Sequence, residues 1–279
     1  MDENHSVIQY ANLRDMVTKG GVLRFSFYLV TAVMLTWPLV LHLPTHLPLG
    51  TETAATVPLF NLWTLIWNVQ ALTQGYAGYW NAPIFYPEAG TFGLSDPQPL
   101  TGMIFAVPYF LSHNPVFAYN VVFLLFLMLN GWAASSPAFL ASKQEGEKGG
   151  WLVGLFAQSL PFVTREWGVL QLVAVFPVMF ALRAVVRFGR QPSLREGLAL
   201  GGWVAVTFLT SSYYGLFLVL VLPLGSVLAR QEHFHWRNLL NLFAGAALAG
   251  VLLWPVLSAQ MQAGAGYSRS ESTIQKNSA

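Results

Sequence analysis

The stretch Val116–Ala141, VFAYNVVFLLFLMLNGWAASSPAFLA, contains no charged side chain along its whole length. About twenty apolar residues in a helix cross the hydrocarbon core of a bilayer, so this run predicts a membrane-spanning helix. Working outward, comparable runs occupy Val22–Leu43, Gly168–Phe188, Tyr213–Leu228 and Leu239–Leu257. Two shorter ones, Trp151–Val163 and Gly197–Thr210, make sense as the first arms of hairpins with the spans that follow them. The expectation is an all-α polytopic membrane protein with about seven transmembrane helices. The first run is too long for the core of a secretory signal, and no small-residue cleavage site follows it.

Composition agrees. Of 279 residues, 54% are hydrophobic and only 9% charged, with a mean hydropathy of +0.51. Soluble domains carry about a quarter charged residues, so a water-soluble globular fold is excluded, and disorder is excluded by the abundance of apolar surface. The net charge of +2 is small and its basic residues are scattered, which leaves nucleic-acid binding without an electrostatic footprint. There is no cysteine, hence no disulfide, thiolate nucleophile or cysteine-ligated metal.

Lysine and arginine set the orientation. With the N-terminus in the cytoplasm, the inner segments hold Arg14, Lys19, Arg24, Lys143, Lys148, Arg183, Arg187, Arg190, Arg195, Arg230 and Arg237. Only Arg165, Arg269 and Lys276 remain outside. The expected division is a cytoplasmic segment at 1–21, a transmembrane module at 22–257 and a polar outer tail at 258–279. The inner loops are short and charged, whereas the first outer segment runs from Pro44 to Pro115 with few charges. A connection that long inside a compact protein is usually functional.

Within that segment Leu59–Leu72, LFNLWTLIWNVQAL, reads as an amphipathic helix. Asn61, Thr64 and Asn68 share one face, while Leu62, Trp63, Ile66 and Trp67 share the other, which would rest at the lipid headgroups. The following YAGYWNAPIFYPEAGTFGLSDPQPLTG, rich in Pro and Gly, predicts a stiff, irregular backbone. Gly102–Ser112 is apolar, too short to span, and is expected along the membrane surface.

Few outer residues could do chemistry. Glu52, in LPLGTETAATVP, could take a proton from a hydroxyl or hold a divalent cation; equally, Glu52 or Thr53 could cap a following turn. Asp96, in LSDPQP, fits a local Asx turn, and Glu88 fits an ordinary turn. Arg165 and Glu166, in TREWG, either end two spans or, in the case of Arg165, meet a phosphate. Tyr213 and Tyr214, in SSYYG, are aromatic-belt anchors or the stacking surface of a sugar site. His42 and His46 are four apart, but Pro44 lies between them, which disfavours a shared helix face; His233 and His235 read as headgroup contacts. P-loop, GxGxxG, HExxH and GxSxG signatures are absent. No span carries the acid or lysine of an ion-coupled transporter.

PLGTETAATVPLFNLWTLIWN (Pro48–Asn68), YWNAPIFYP (Tyr79–Pro87) and SDPQPLTGMIF (Ser95–Phe105), with AYN at Ala118–Asn120 and SSYYG at Ser211–Gly215, resemble the GT-C superfamily of membrane glycosyltransferases, in particular bacterial multi-pass members. The resemblance implies transfer of a sugar from a polyprenyl-phosphate donor to an acceptor on the outer face of the inner membrane, in the cell envelope. It implies that Glu52 is the catalytic base or a metal ligand, with Asp96 as its partner and a divalent cation as an optional cofactor held by those two acids. Arg165, Glu166, Tyr213 and Tyr214 would then bind substrate. Members of the superfamily often pair acids in this loop, where TET offers one, and usually have further spans and an outer domain. The chain is therefore expected to be the seven-span module of a longer protein. The alternative is a non-catalytic membrane protein that binds lipid-linked glycans or scaffolds a larger complex.

Overall fold

A computed structural model describes residues 19–85, 87–135, 143–228 and 236–265, with the side chains of 19–20, 143–148 and 222–228 left aside. Arg14, Arg230, His233, His235, Arg269, Lys276, the tail beyond Ala265 and the expected span end at 136–141 lie outside the described residues.

The described residues form helices and turns with no strand. In chain order the helices are α1 (Lys19–Leu35), α2 (Thr56–Thr73), α3 (Pro99–Ser112), α4 (Pro115–Ala134), α5 (Lys143–Gln158), the short α6 (Pro161–Arg165) and α7 (Leu170–Val173), α8 (Phe176–Arg190), α9 (Leu194–Thr210), α10 (Ser212–Leu228) and α11 (Trp236–Ala265). By length and composition, Pro115–Ala134, Leu170–Arg190 and Trp236–Ala265 are long and apolar enough to cross a membrane. The apolar helical stretches Gly21–Leu35, Pro99–Ser112 and Ser212–Val221 are shorter.

Two helices organise the packing. The first, α4, starts cleanly because Asn114 accepts the Phe117 N–H at 2.9 Å and Pro115 needs no partner in the first turn. It packs on α1, α3, α5 and α8 and carries the centre of the core, where Phe123, Phe126, Leu127 and Met128 are fully buried. Beside it Tyr28 of α1 fills a slot opened by Gly131 and Gly154, with its hydroxyl 3.3 Å from the carbonyls of Gly150 and Trp151. The second hub, α9, packs on α3, α8, α10 and α11. Its closest crossing is with α11, where Gly197 and Gly201 meet the backbone of Asn241 and Gly245. Small residues at a helix crossing let the backbones approach.

Much apolar surface faces outward. Leu216, Phe217 and Leu220 of α10 and Phe243, Val251, Trp254 and Met261 of α11 are more than half exposed. Apolar exterior of this extent is costly in water and suited to lipid. Together with the three long apolar helices, it marks a membrane protein.

The segment between α1 and α4 is ordered and built onto the bundle. Its helix α2 extends the expected Leu59–Leu72 at both ends, and α3 lies against α2 and α4 with Thr101, Gly102, Phe105 and Ala106 buried. The polar face of α2 is turned inward, with Asn61, Thr64 and Asn68 at 0%, 0% and 2% exposure. Leu59, Phe60 and Leu72 are among its exposed residues. Burial of Asn61 and Asn68 costs little because both amides find protein partners.

Candidate functional site at the loop end of the bundle

Two pairs of connections pack on each other: residues 36–55 with the turn after α6, and the end of the 74–98 segment with the α9–α10 turn. Asn114 Nδ2 donates to the Pro44 carbonyl at 3.1 Å, and Asn120 Nδ2 donates to the carbonyls of Leu43 and His46 at 2.8 and 2.7 Å. These bonds fix the chain leaving α1.

Glu52 lies on a turn closed by its own N–H, which donates to the Leu49 carbonyl at 3.1 Å. The Thr51 N–H and hydroxyl donate to the Arg165 carbonyl at 3.1 and 3.2 Å. Gly50, at φ +61°, leaves no room for a Cβ against Arg165 O and Trp167 N, and Gly168 faces Leu49 O and the Glu52 side chain in the same way. The two turns are therefore clamped face to face. The first residue before α2 is Ala55, and no side chain caps it, so neither Glu52 nor Thr53 takes the capping role.

Beside this clamp lies a cavity of about 490 Å³ whose lining includes Thr36, His42, His46, Thr51, Thr164 and Trp167. Gly50 and Thr51 line it, whereas their neighbour Glu52 does not. The His42 and His46 rings are 4.7 Å apart, and His46 Nδ1 is 2.8 Å from Thr45 Oγ1. Arg165 is exposed at the end of α6, and Glu166 closes that helix through its backbone N–H to Phe162 O.

Asp96 belongs to a second cluster. Its Oδ1 accepts the Ser212 hydroxyl at 2.8 Å and the Ser212 N–H at 3.2 Å, so it closes the first turn of α10 from 116 residues away. This long-range cap is added to the local bond that the Gln98 backbone N–H gives the Asp96 carboxylate, the pattern of the expected Asx turn. Burial pushes the Asp96 carboxyl up to about 6, against the opposing hydrogen bonds of Ser212 and the Gln98 backbone. Although the residue as a whole is only partly covered, Oδ2 is inaccessible and has no partner.

The polar face of α2 holds this cluster. Asn68 Nδ2 donates to the carbonyls of Thr64 and Pro97 at 2.9 and 2.7 Å, and Asn68 Oδ1 accepts the Tyr79 hydroxyl at 2.8 Å. Gln98 Nε2 donates to Asn61 Oδ1 at 2.9 Å. Gln98 is 1% exposed with φ +48°, a left-handed backbone rarely adopted by a residue with a side chain. Conformations of this kind persist where the surroundings over-determine them, and they cluster at functional sites.

Of the expected site residues, Glu52 is thus joined to the Arg165–Gly168 turn and Asp96 to the start of α10. The Tyr214 hydroxyl donates to Leu172 O at 2.6 Å, tying α10 to α7, whereas Tyr213 is exposed. Glu52 and Asp96 have no hydrogen-bond partner in common, and among the described residues no three His, Asp or Glu side chains gather as a metal site. Sequence reasoning passed over Gln98, Ser211 and Ser212, and it put Asn61, Thr64 and Asn68 on one face of α2 without assigning them a role. The recurrence of three polar residues along one face of an otherwise apolar helix was the signal that could have found them.

The described residues thus form a helical membrane protein, with three helices long and apolar enough to cross a bilayer and a structured segment after α1. No protein-family model, curated protein or solved structure matches the chain.

Proposed function

We propose that the protein is a membrane glycosyltransferase of GT-C type that passes a sugar from a polyprenyl-phosphate donor to an acceptor hydroxyl. In this reading the chain makes seven crossings, its N-terminus is cytoplasmic, and the loop end lies on the outer face of the inner membrane. The observation that carries it is the turn-on-turn clamp. It holds Glu52, a carboxylate that caps no helix, directly after Gly50 and Thr51 in the chain, and those two line a 490 Å³ cavity at the end of α1. Ligand sites commonly have volumes of about 300–1,000 Å³ and mostly apolar walls with a few polar groups.

Glu52 takes the proton of the acceptor hydroxyl. The hydroxyl oxygen bonds to the anomeric carbon as the bond from that carbon to the phosphate oxygen breaks, and the electron pair leaves on polyprenyl phosphate. The exposed Arg165 at the neighbouring turn supplies a fork that suits the departing phosphate. In this reading Asp96 positions the loop against α10.

Transfer of radiolabelled sugar from lipid carrier to acceptor in membranes tests the assignment. Glu52→Gln keeps shape and removes the base, which costs roughly 10²–10⁴-fold in rate, while Glu88→Gln, on an exposed turn, stays near normal. Normal transfer by Glu52→Gln overturns the catalytic role and leaves the lipid-linked-glycan binding protein as the better reading.

A further inference from the structure

Around Asp96 five buried oxygen atoms have no hydrogen-bond partner: Asp96 Oδ2, Gln98 Oε1, Ser95 Oγ, Thr64 Oγ1 and Ser211 Oγ. The contacts place them in one neighbourhood. Residues 95, 96 and 98 are contiguous, and Asp96 is bonded to Ser212, next to Ser211. Thr64 lies on α2 between Asn61, which holds the Gln98 amide, and Asn68, which holds the Pro97 carbonyl. Thr101 Oγ1 further ties the start of α3 to the Thr210 carbonyl at 3.5 Å. Thr64, Gln98 and Ser211 are each at most 1% exposed. Because the Gln98 Nε2 end is engaged by Asn61, the amide oxygen is the end left over.

Buried polar groups are nearly always satisfied, so five orphans together call for something that binds oxygen. A buried carboxylate also needs a counter-charge or a proton, and among the described residues Asp96 has no cationic side chain as partner. One carboxylate, one amide carbonyl and three hydroxyls form a hard, all-oxygen donor set of the kind that alkali and alkaline-earth ions prefer. A hard cation also explains why these oxygens bond to nothing in the protein, since its ligands bond to the ion and not to one another. With a single carboxylate, a monovalent ion leaves the site neutral, whereas a divalent ion would bury a net positive charge.

We propose that the chamber formed by Ser95, Asp96, Gln98, Thr64 and Ser211 is a binding site for one monovalent cation, of sodium's size, which pins the 95–98 segment between α2 and α10. This site is separate from Glu52 and does not rest on the enzymatic reading.

The test is thermal unfolding of the purified full chain in detergent at pH 7.5, with choline chloride exchanged for NaCl, KCl or MgCl₂ at constant ionic strength. The expected result is a saturable rise in Tm of roughly 3–6 °C with sodium at about ten times its dissociation constant. Asp96→Asn removes the rise. Thr64→Val, which replaces one hydroxyl by a methyl, keeps the fold and shifts the half-maximal sodium concentration up several-fold. An identical Tm in choline, sodium and potassium overturns the proposal. So does a response to magnesium alone, a sodium response retained in Asp96→Asn, or an unchanged half-maximum in Thr64→Val. If the stability of the wild type instead falls with rising pH equally in every salt, a proton and not a cation neutralises Asp96.

Discussion

Asn130 Nδ2 donates to the Val173 carbonyl at 2.7 Å, and the same side chain's Oδ1 accepts the N–H groups of Val175 and Phe176 at 3.0 and 2.8 Å. One amide on α4 thus bridges the break between α7 and α8, where the helix expected from Gly168 to Phe188 is interrupted. Within an apolar helix bundle such a break is tolerated only where the freed backbone groups find partners in the protein. Asn130→Ala leaves the Phe176 N–H unpaired, at a cost of about 1–3 kcal/mol when buried, and reduces the Val173 carbonyl and Val175 N–H to the 2.9 Å bond they make with each other. The expected result is a loss of about 1–3 kcal/mol in reversible denaturation from detergent micelles. A loss below about 0.5 kcal/mol, the scale of surface substitutions, counts against the bridging role.

The crossing of α9 and α11 gives a second test with its own control. A side chain at Gly201 would meet the Gly245 carbonyl, whereas Gly202, one residue on, faces open space. Gly201→Leu should therefore force the helices apart and cost at least about 1–3 kcal/mol. Gly202→Ala should be neutral or stabilise by up to about 1 kcal/mol, through the helix preference of alanine. Equal effects of the two substitutions in the same unfolding assay would show that the crossing is not tight.

These sites show what was legible in the sequence and what was not. The apolar runs announced the helices, because hydrophobic length is a local signal. The Ala174–Pro177 break carried a proline as its only local sign; its partner Asn130 lies on another helix, 43 residues before Val173. The stripe of Asn61, Thr64 and Asn68 declared a polar face, but periodicity cannot say whether water or the protein covers that face. The candidate site depends on contacts of the same long range, Thr51 to Arg165 and Asp96 to Ser212, which no window of sequence contains.

Asp96 predicts a pH dependence of definite sign. Its folded-state value of about 6 lies above the ordinary carboxylate value, so the folded protein binds the proton more tightly than the unfolded chain. Stability is then greatest below about pH 4 and falls as pH rises through 6, by roughly 2–3 kcal/mol in full. In choline buffer the unfolding temperature of the wild type should decline between pH 4 and 7, and that of Asp96→Asn should not decline in that window. A wild-type stability that rises over the same interval would contradict the burial assigned to this carboxyl.

The relation of Glu52 to Asp96 can be measured without an activity assay. Glu52 belongs to the clamp with Arg165–Gly168, Asp96 to the cap of α10, and no partner is common to both. Groups without shared partners contribute to stability independently, to within about 0.3–0.5 kcal/mol, whereas groups in one network show coupling of about 0.5–3 kcal/mol. A double-mutant cycle of Glu52→Gln and Asp96→Asn, read by denaturation at pH 7.5, should therefore be additive. The cycle is run once in choline and once with added MgCl₂, because a shared divalent ion would couple the acids only when present. Additivity in both buffers keeps the base and the loop anchor as separate devices. Coupling above about 1 kcal/mol with magnesium would join the two acids into one metal site and withdraw both their separate roles and the monovalent site.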